Sequence, residues 1–324
     1  EIGTLNMHFF RRVLANSRTP RLLFGLTNTV AAFTTVYLSH AFNTPAFAEP
    51  VEANQKVEDI RKNAMGTSLK LKDKVAIVTG ASSGIGYATA KELVRHGVSL
   101  VLTGRNQQAL DCLAKEIRQM GGRCHICAGD LTDPKTASRV VEAATKQFGR
   151  LDILVNSAGI LKGGTMQATT LENYDANFDV NVRGLFLMTQ AALPLLQITK
   201  GNVVNVSSVN GLQSFGGVLA YCASKAAVDH MTRCAAVDLA PLGVRVNAVN
   251  PGVTRSELQL RGGQTPEVYA AFLEKSKTTH PIGRIAEAEE VAALICFLSS
   301  DSKAGMITGA TIPVDGGRSC VGAR

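Results

Sequence analysis

A doubly wound parallel α/β sheet of about seven strands, flanked by helices within one domain, is the fold class the sequence predicts. Three observations predict it. Short apolar runs rich in β-branched residues recur along the chain, amphipathic stretches of helical length separate them, and a glycine-rich turn joins the first run to the first such stretch. Strands alternating with helices at this spacing pair in parallel, each crossover carrying the chain back to the same edge of the sheet. The composition agrees: 324 residues, 45% hydrophobic and 19% charged, with 30 Gly and no Trp. That excludes collagen, a coiled coil, a disulfide-stapled miniprotein and a mostly disordered chain. Seven scattered Cys, an odd count, fit no disulfide framework.

The elements follow in order. Residues 74–79 (KVAIVT) suit a buried parallel strand, and after the turn YATAKELVRHG suits a helix. A second strand is expected over 98–103, with an amphipathic helix over 107–120. A third strand is expected to end near Asp130, before a helix over 134–148 and a strand over 151–155. Residues 171–198 read as one long helical stretch, followed by a strand over 202–207. A further helix starts near Tyr221, ahead of a strand over 244–249. A last helix over 287–299 leads to a strand over 311–314. Cys124 and Cys127 form a C-x-x-C pair. No second ligand pair follows at zinc-finger spacing, so they read as structural strand residues.

Ahead of this domain, residues 7–48 contain Arg, Ser and Thr and no acid, the composition of a mitochondrial presequence. Residues 22–38 form an uncharged stretch just short of a membrane span, and Ala46-Phe47-Ala48 is similar to a signal-peptidase site. A mitochondrial address is therefore expected for residues 1–48, with a membrane anchor or secretory signal, or a cytoplasmic protein, as alternatives. Residues 49–69 read as a linker and 70–324 as the folded domain. The formal net charge is +8, yet there is no Lys/Arg run of five or more, so nucleic-acid binding is not indicated.

The turn Thr79-Gly80-Ala81-Ser82-Ser83-Gly84-Ile85-Gly86 sits between strand and helix, where a dinucleotide site requires it. Glycines let the backbone bend and approach a pyrophosphate, and the helix N-terminus offers unpaired N–H groups to it. At the end of the second strand, an acid would bind a ribose 2′-hydroxyl and repel a 2′-phosphate. The chain has Thr103-Gly104-Arg105-Asn106 there instead. Arg105 suits a charge-assisted bond to a 2′-phosphate, so NADP(H) is favoured over NAD(H). A solvated loop arginine is the plainer alternative.

These residues, with Asp130-Leu131, Asn156-Ser157-Ala158-Gly159, Asn181, Ser208, Tyr221-x-x-x-Lys225 and Asn250-Pro251-Gly252-Val253-Thr254, give a pattern that resembles the short-chain dehydrogenase/reductase family in its single-domain subgroup. The likeness covers about residues 70–318. It implies a Rossmann-type sheet, a nicotinamide cofactor, and a homotetramer or dimer built on the long helices after residues 171 and 221. One departure is Ser157, where the family has a second Asn. The resemblance implies that Asn156, Ala158 and Gly159 run beside the cofactor and that Asp130 and Leu131 border the adenine. Pro251, Gly252 and Val253 would border the nicotinamide, with Thr254 on the pyrophosphate. Residues 255–282 resemble the family's mobile substrate loop, and their apolar side chains hint at an apolar substrate.

The chemistry can also be argued from the residues. Reducing a carbonyl needs a hydride donor, a proton donor and a group to polarise the oxygen. Tyrosine is a weak acid/base at neutral pH, with a free pKa of about 10. Lys225 lies one helical turn on, and its cation is expected to lower the pKa of Tyr221. Ser208, at a strand end, can hydrogen-bond the substrate oxygen. The resemblance adds ribose binding by Lys225 and, for Asn181, a water linking Lys225 to solvent. The expected function is carbonyl–secondary alcohol interconversion with NADP(H) on a small molecule. The alternatives are a 3-oxoacyl-thioester reductase and a non-catalytic NADP-binding regulator. No metal ligands are expected, and membrane contact only through residues 22–38.

Overall fold

The computed structural model describes residues 69–321. The leader and residues 22–38 lie outside them, as does the linker up to residue 68. Seven strands form one sheet, every neighbouring pair parallel: β1 (Val75–Thr79), β2 (Ser99–Thr103), β3 (Cys124–Ile126), β4 (Ile153–Asn156), β5 (Asn202–Val206), β6 (Arg245–Pro251) and β7 (Thr311–Val314). Their spatial order is β3-β2-β1-β4-β5-β6-β7. The order reverses direction between β1 and β4. Ligand crevices open at such a point, beyond the carboxyl ends of the strands.

β1, β2, β4, β5 and β6 are buried along their whole length, which is why they read as continuous apolar runs. Alternate side chains supply two cores, one on each face. Ala76, Val78, Leu100 and Leu102 pack on one side with α1 (Gly84–Arg95), α2 (Gln107–Gln119) and α10 (Ala288–Ser299). Ile77, Val101, Leu154, Val203 and Val246 pack on the other. There they meet α3 (Pro134–Phe148), α5 (Leu185–Thr199) and α7 (Leu219–Leu239). At the amino end of the sheet, Asp152 is 1% exposed. It accepts two bonds from Arg150 (2.8 and 2.6 Å) and one from the Val75 N–H (2.9 Å), with the Lys74 ammonium at 3.3 Å. A buried carboxylate is tolerable only with this many partners.

Three expectations need adjustment, and two elements are additional. β3 ends at Ile126, not near Asp130, although the Cys127 and Gly129 N–H groups still bond to the β2 side at Leu102 and Gly104. The stretch from residue 171 is not one helix. α4 (Leu171–Phe178) passes into a π-helical turn (Asp179–Gly184) before α5 begins. Residues 255–282 are mostly helical, holding α8 (Leu258–Arg261) and α9 (Pro266–Thr279). Thr265 accepts a cap bond from Val268 N–H and Pro266 fills the first helical position, an ordinary N-terminal signature. Two short helices, α6 (Val209–Leu212) and α11 (Asp301–Ala304), had no periodic signal because each is a single turn.

Candidate active site

The β1–α1 turn is built by close approach. Gly80 has φ +64, and a Cβ there would lie 2.8 Å from the Ala158 backbone. A Cβ on Gly86 would lie 2.4 Å from the Gly80 carbonyl, so Gly86 underlies the turn, whereas a Cβ on Gly84 would face the Ser256 side chain at 3.2 Å. Thr79 Oγ1 accepts from the Ser157 and Ala158 N–H groups, both at 3.0 Å, and locks the turn to the segment after β4. Ser83 is the N-cap of α1 and makes no side-chain cap bond, which leaves the helix N–H groups open.

Two cavities lie along this edge. The smaller is lined by Gly80, Ser82, Arg105, Asp130, Leu131, Ala158 and Gly159, and also by Arg261. The larger, of about 390 Å³, brings together Ser83, Ile85, Gly159, Ser208, Tyr221, Lys225 and the run from Pro251 to Thr254. Three expected residues stand behind these walls. Asn106 accepts from Ala109 N–H at 3.0 Å and caps α2. Asn156 donates to Thr189 and Asn205 in a buried polar network. Thr79 serves the lock just described. The open α1 terminus, the cradle under Gly80 and the paired cavities fit a dinucleotide.

Tyr221 and Lys225 sit one turn apart on α7, 6% and 4% exposed. The Lys225 ammonium donates to the Val206 carbonyl at 2.8 Å and lies 5.8 Å from the Tyr221 ring centroid. Burial pushes the Tyr221 phenol up to about 12, opposed by a hydrogen bond with the Ser208 hydroxyl. Burial brings Lys225 down to about 8, opposed by the Asp229 carboxylate. The expectation that Lys225 lowers the pKa of Tyr221 is therefore corrected. In this geometry desolvation outweighs any charge effect, and Ser208 is the group that favours the phenolate. Ser208 caps α6, its Oγ accepting from Asn210 N–H at 3.1 Å. Asn181 lies in the π-helical turn, 1% exposed, and clasps the Ile160 backbone through its N–H (2.9 Å) and carbonyl (3.0 Å). Its amide also donates to Ser224 at 3.0 Å. Single-turn π segments recur at functional sites.

The sequence reading missed several residues. Arg261, on α8, donates to Ser83 Oγ at 2.6 Å and so bridges the 255–282 segment to the glycine turn. Asp229 accepts from Asn250 at 2.9 and 3.0 Å, and Asn250 also donates to the Ser208 carbonyl at 3.0 Å. His280, 2% exposed, accepts from Val253 N–H through Nε2 at 3.1 Å, while its Nδ1 faces the Ser276 carbonyl at 2.7 Å. Asp229 has a sequence signal, a second i,i+4 step after Lys225; the other two have none. Cys124 lies in β3 with Cys127 just beyond it, and burial raises both thiols above their usual range.

Comparison with known proteins agrees with this architecture. A family model described as enoyl-(acyl carrier protein) reductase matches residues 80–319. The chain is 38% identical over 249 residues to a cyclopentanol dehydrogenase of Comamonas sp. (strain NCIMB 9872), covering 76% of this chain and 98% of the relative. It is 36% identical over 250 residues to a 3-oxoacyl-(acyl-carrier-protein) reductase of Thermotoga maritima, covering 77% and 99%. A crystal structure of a Caenorhabditis elegans short-chain dehydrogenase/reductase of unknown function, with cofactor, superposes with a TM-score of 0.74 at 31% identity, covering 78% and 97%. The chain belongs to the short-chain dehydrogenase/reductase family, and its sheet is of the Rossmann type. It is an NAD(P)-dependent oxidoreductase acting on CH–OH donors.

Proposed function

We propose that the enzyme interconverts a ketone and a secondary alcohol with NADP(H), using Tyr221 as acid/base. One observation carries the reading: Ser208, Tyr221 and Lys225 line the same cavity as Ser83 and Ile85 of the glycine turn. The bound nicotinamide supplies or accepts the hydride. Everything else falls to the chain. Ser208 holds the substrate oxygen toward the phenol. Tyr221, whose phenol burial holds in its protonated form, gives that oxygen its proton in the reducing direction. Lys225 keeps a buried cation beside the phenol and would hold the nicotinamide ribose. Asn181 orders the segment of Gly159 and Ile160 next to Lys225, and in the family's manner carries protons through a water. Asp130, Leu131, Ala158, Gly159 and residues 251–254 shape the rest of the cofactor cleft, with Arg261 closing it over the glycine turn.

NADP(H) is preferred on the strength of Arg105. Among the described residues it makes no hydrogen bond or ion pair, and it lines the smaller cavity just past β2. The acyl-thioester alternative remains an arm of the test, given the relative named above. Phe186 and Ile198 on α5 and Val237 on α7 are large exposed apolar residues, which supports a homo-oligomer through those helices. Residues 1–48 would direct the protein to mitochondria. A fusion of that segment to a reporter checks this, and a cytosolic reporter rejects it.

The decisive experiment is a panel of ketones, alcohols and 3-oxoacyl thioesters with the purified full chain, following NADPH and NADH separately. Turnover with NADPH on a ketone is expected. Tyr221→Phe should lower kcat by about 10² to 10⁴-fold with nucleotide affinity kept. Undiminished turnover in that variant would sink the mechanism. Arg105→Asp should shift preference toward NADH.

A further inference from the structure

The substrate side of the larger cavity holds a cation that the mechanism above does not use. Arg318 begins the 3-10 turn Arg318–Cys320 after β7 and lines the cavity together with Ser208, Tyr221 and Phe215. Its guanidinium lies over the Phe215 ring, 4.6 Å from the centroid. It is partly buried, and its side chain makes no hydrogen bond or ion pair among the described residues.

The acid that acts on it electrostatically is Asp315. That carboxylate is already committed: its two oxygens accept the Gly317 N–H at 3.0 Å and the Ser319 N–H at 2.7 Å. The turn is fastened a second time where Gln213 donates to the Ser319 carbonyl at 2.6 Å. Arg318 is thus held by a braced turn and an aromatic face, with its N–H donors unspent. The cavity wall contains two cations, Lys225 and Arg318, and no Asp or Glu. Lys225 donates to the Val206 carbonyl and is assigned above to the cofactor ribose, which leaves Arg318 as the cation of the substrate side. Gln259 and Gln264 also line the cavity, and each buries an amide oxygen without a partner. A partly buried guanidinium whose donors meet no acceptor of the protein is available to a ligand, and an arginine fork matches a carboxylate with two parallel bonds.

We propose that Arg318 anchors a carboxylate of the substrate, so that the enzyme acts on keto acids and their hydroxy acids. The inference rests on the oxidoreductase reading of the same site. In the reducing direction the nicotinamide hydride adds to the carbonyl carbon and the Tyr221 proton to its oxygen, while the carboxylate passes through unchanged.

The test pairs each of 3-oxobutanoate, 4-oxopentanoate and 5-oxohexanoate with its methyl ester, using the full chain and NADPH. The acid should exceed its ester in kcat/KM by about tenfold or more for the chain length that spans Arg318 and Tyr221. Arg318→Met, which keeps an unbranched side chain against Phe215, should reduce that acid-to-ester ratio by about tenfold, and Arg318→Lys should recover part of it. Equal use of acid and ester by the wild-type enzyme at every length, or a ratio that Arg318→Met leaves in place, overturns the anchor. If no compound turns over with either nucleotide, calorimetric binding of 4-oxopentanoate decides. Binding weakened about tenfold by Arg318→Met keeps the anchor and rejects the ketone-reductase reading; binding indifferent to that substitution, or none, rejects the anchor.

Discussion

Replacing Gly80 with Ala should loosen both the fold and the nucleotide site, and the structure supplies the size of the effect. The residue has φ +64, a region that costs an L side chain about 1–2 kcal/mol. The new Cβ would meet Ala158 N, Ala158 Cα and the Ser157 carbonyl at 2.8 Å, against ordinary contact from 3.4 Å. Relief requires moving the 157–158 segment, which Thr79 Oγ1 holds through two N–H bonds of 3.0 Å. Losing one such bond costs about 1 kcal/mol, for a total of about 2–3 kcal/mol. Gly121→Ala is the control: its φ is +78, but nothing lies within 4 Å of the added Cβ. It should lose only the backbone part, about 1–2 kcal/mol. For a domain of this size the difference of about 1 kcal/mol corresponds to about 2–4 °C in Tm. Denaturant melts of both variants, with nucleotide binding measured by fluorescence, test it. Only Gly80→Ala should also weaken nucleotide binding. Equal stability losses and equal nucleotide affinities in the two variants would refute the close approach at Gly80.

Other perturbations have clear expected signs. His280 must be neutral, since Nε2 accepts from Val253 N–H, and burial holds its pKa below 6.5. Its contribution to stability is therefore full above about pH 6.5 and is lost as pH falls through the lower folded value. His280→Gln should flatten that acid limb, and parallel pH–stability curves would contradict the assignment. Lys225→Met removes a charge whose pKa burial has brought from 10.5 to about 8. At pH 7 turnover should collapse while stability changes by less than about 2 kcal/mol, because relief of the buried charge is offset by an unpaired Val206 carbonyl and by Asp229 losing its cation, as a kinetic assay and calorimetry would report. Asp152→Ala leaves the buried Val75 N–H unpaired and removes the partner of the half-exposed Arg150, so a loss of about 1–3 kcal/mol is expected in urea melts. A loss under 1 kcal/mol would mean that Asp152 is not the brace at the amino end of the sheet.

Much of this was legible in the sequence because it is local and periodic. The apolar run of β1, the glycine turn and α1 are adjacent along the chain, so one strand–turn–helix pattern contains them. Tyr221 and Lys225 share a helix face by spacing alone. Burial was not legible: one turn of separation fixes the distance between those two residues but says nothing of the dry surroundings that push their pKa values apart. Nor were the long-range partners. Arg261 reaches Ser83 across 178 residues, and His280 reaches Val253 across 27. No periodicity links such pairs; only the folded sheet edge brings them together. The 255–282 segment resembles a mobile loop of the family, yet Pro266 opens α9 there and does not interrupt it.

The π-helical turn at Asp179–Gly184 also sets how much the chain length can vary here. Upstream, α4 is phased so that Asn177 holds Lys162 and, within the π turn, Asn181 holds Ile160. Downstream, α5 is phased so that Leu185, Met188, Ala192 and Leu196 are buried in the core. One α-helix has one phase; the wide turn allows two. A π turn holds about one residue more than an α turn, so removing a single residue between 179 and 184 would restore ordinary winding and leave Leu185, Met188, Ala192 and Leu196 of α5 facing the core, at the expense of the Asn181 clasp. The segment therefore behaves as a length gauge: it absorbs the one residue that would otherwise exchange the inside of α5 for its outside.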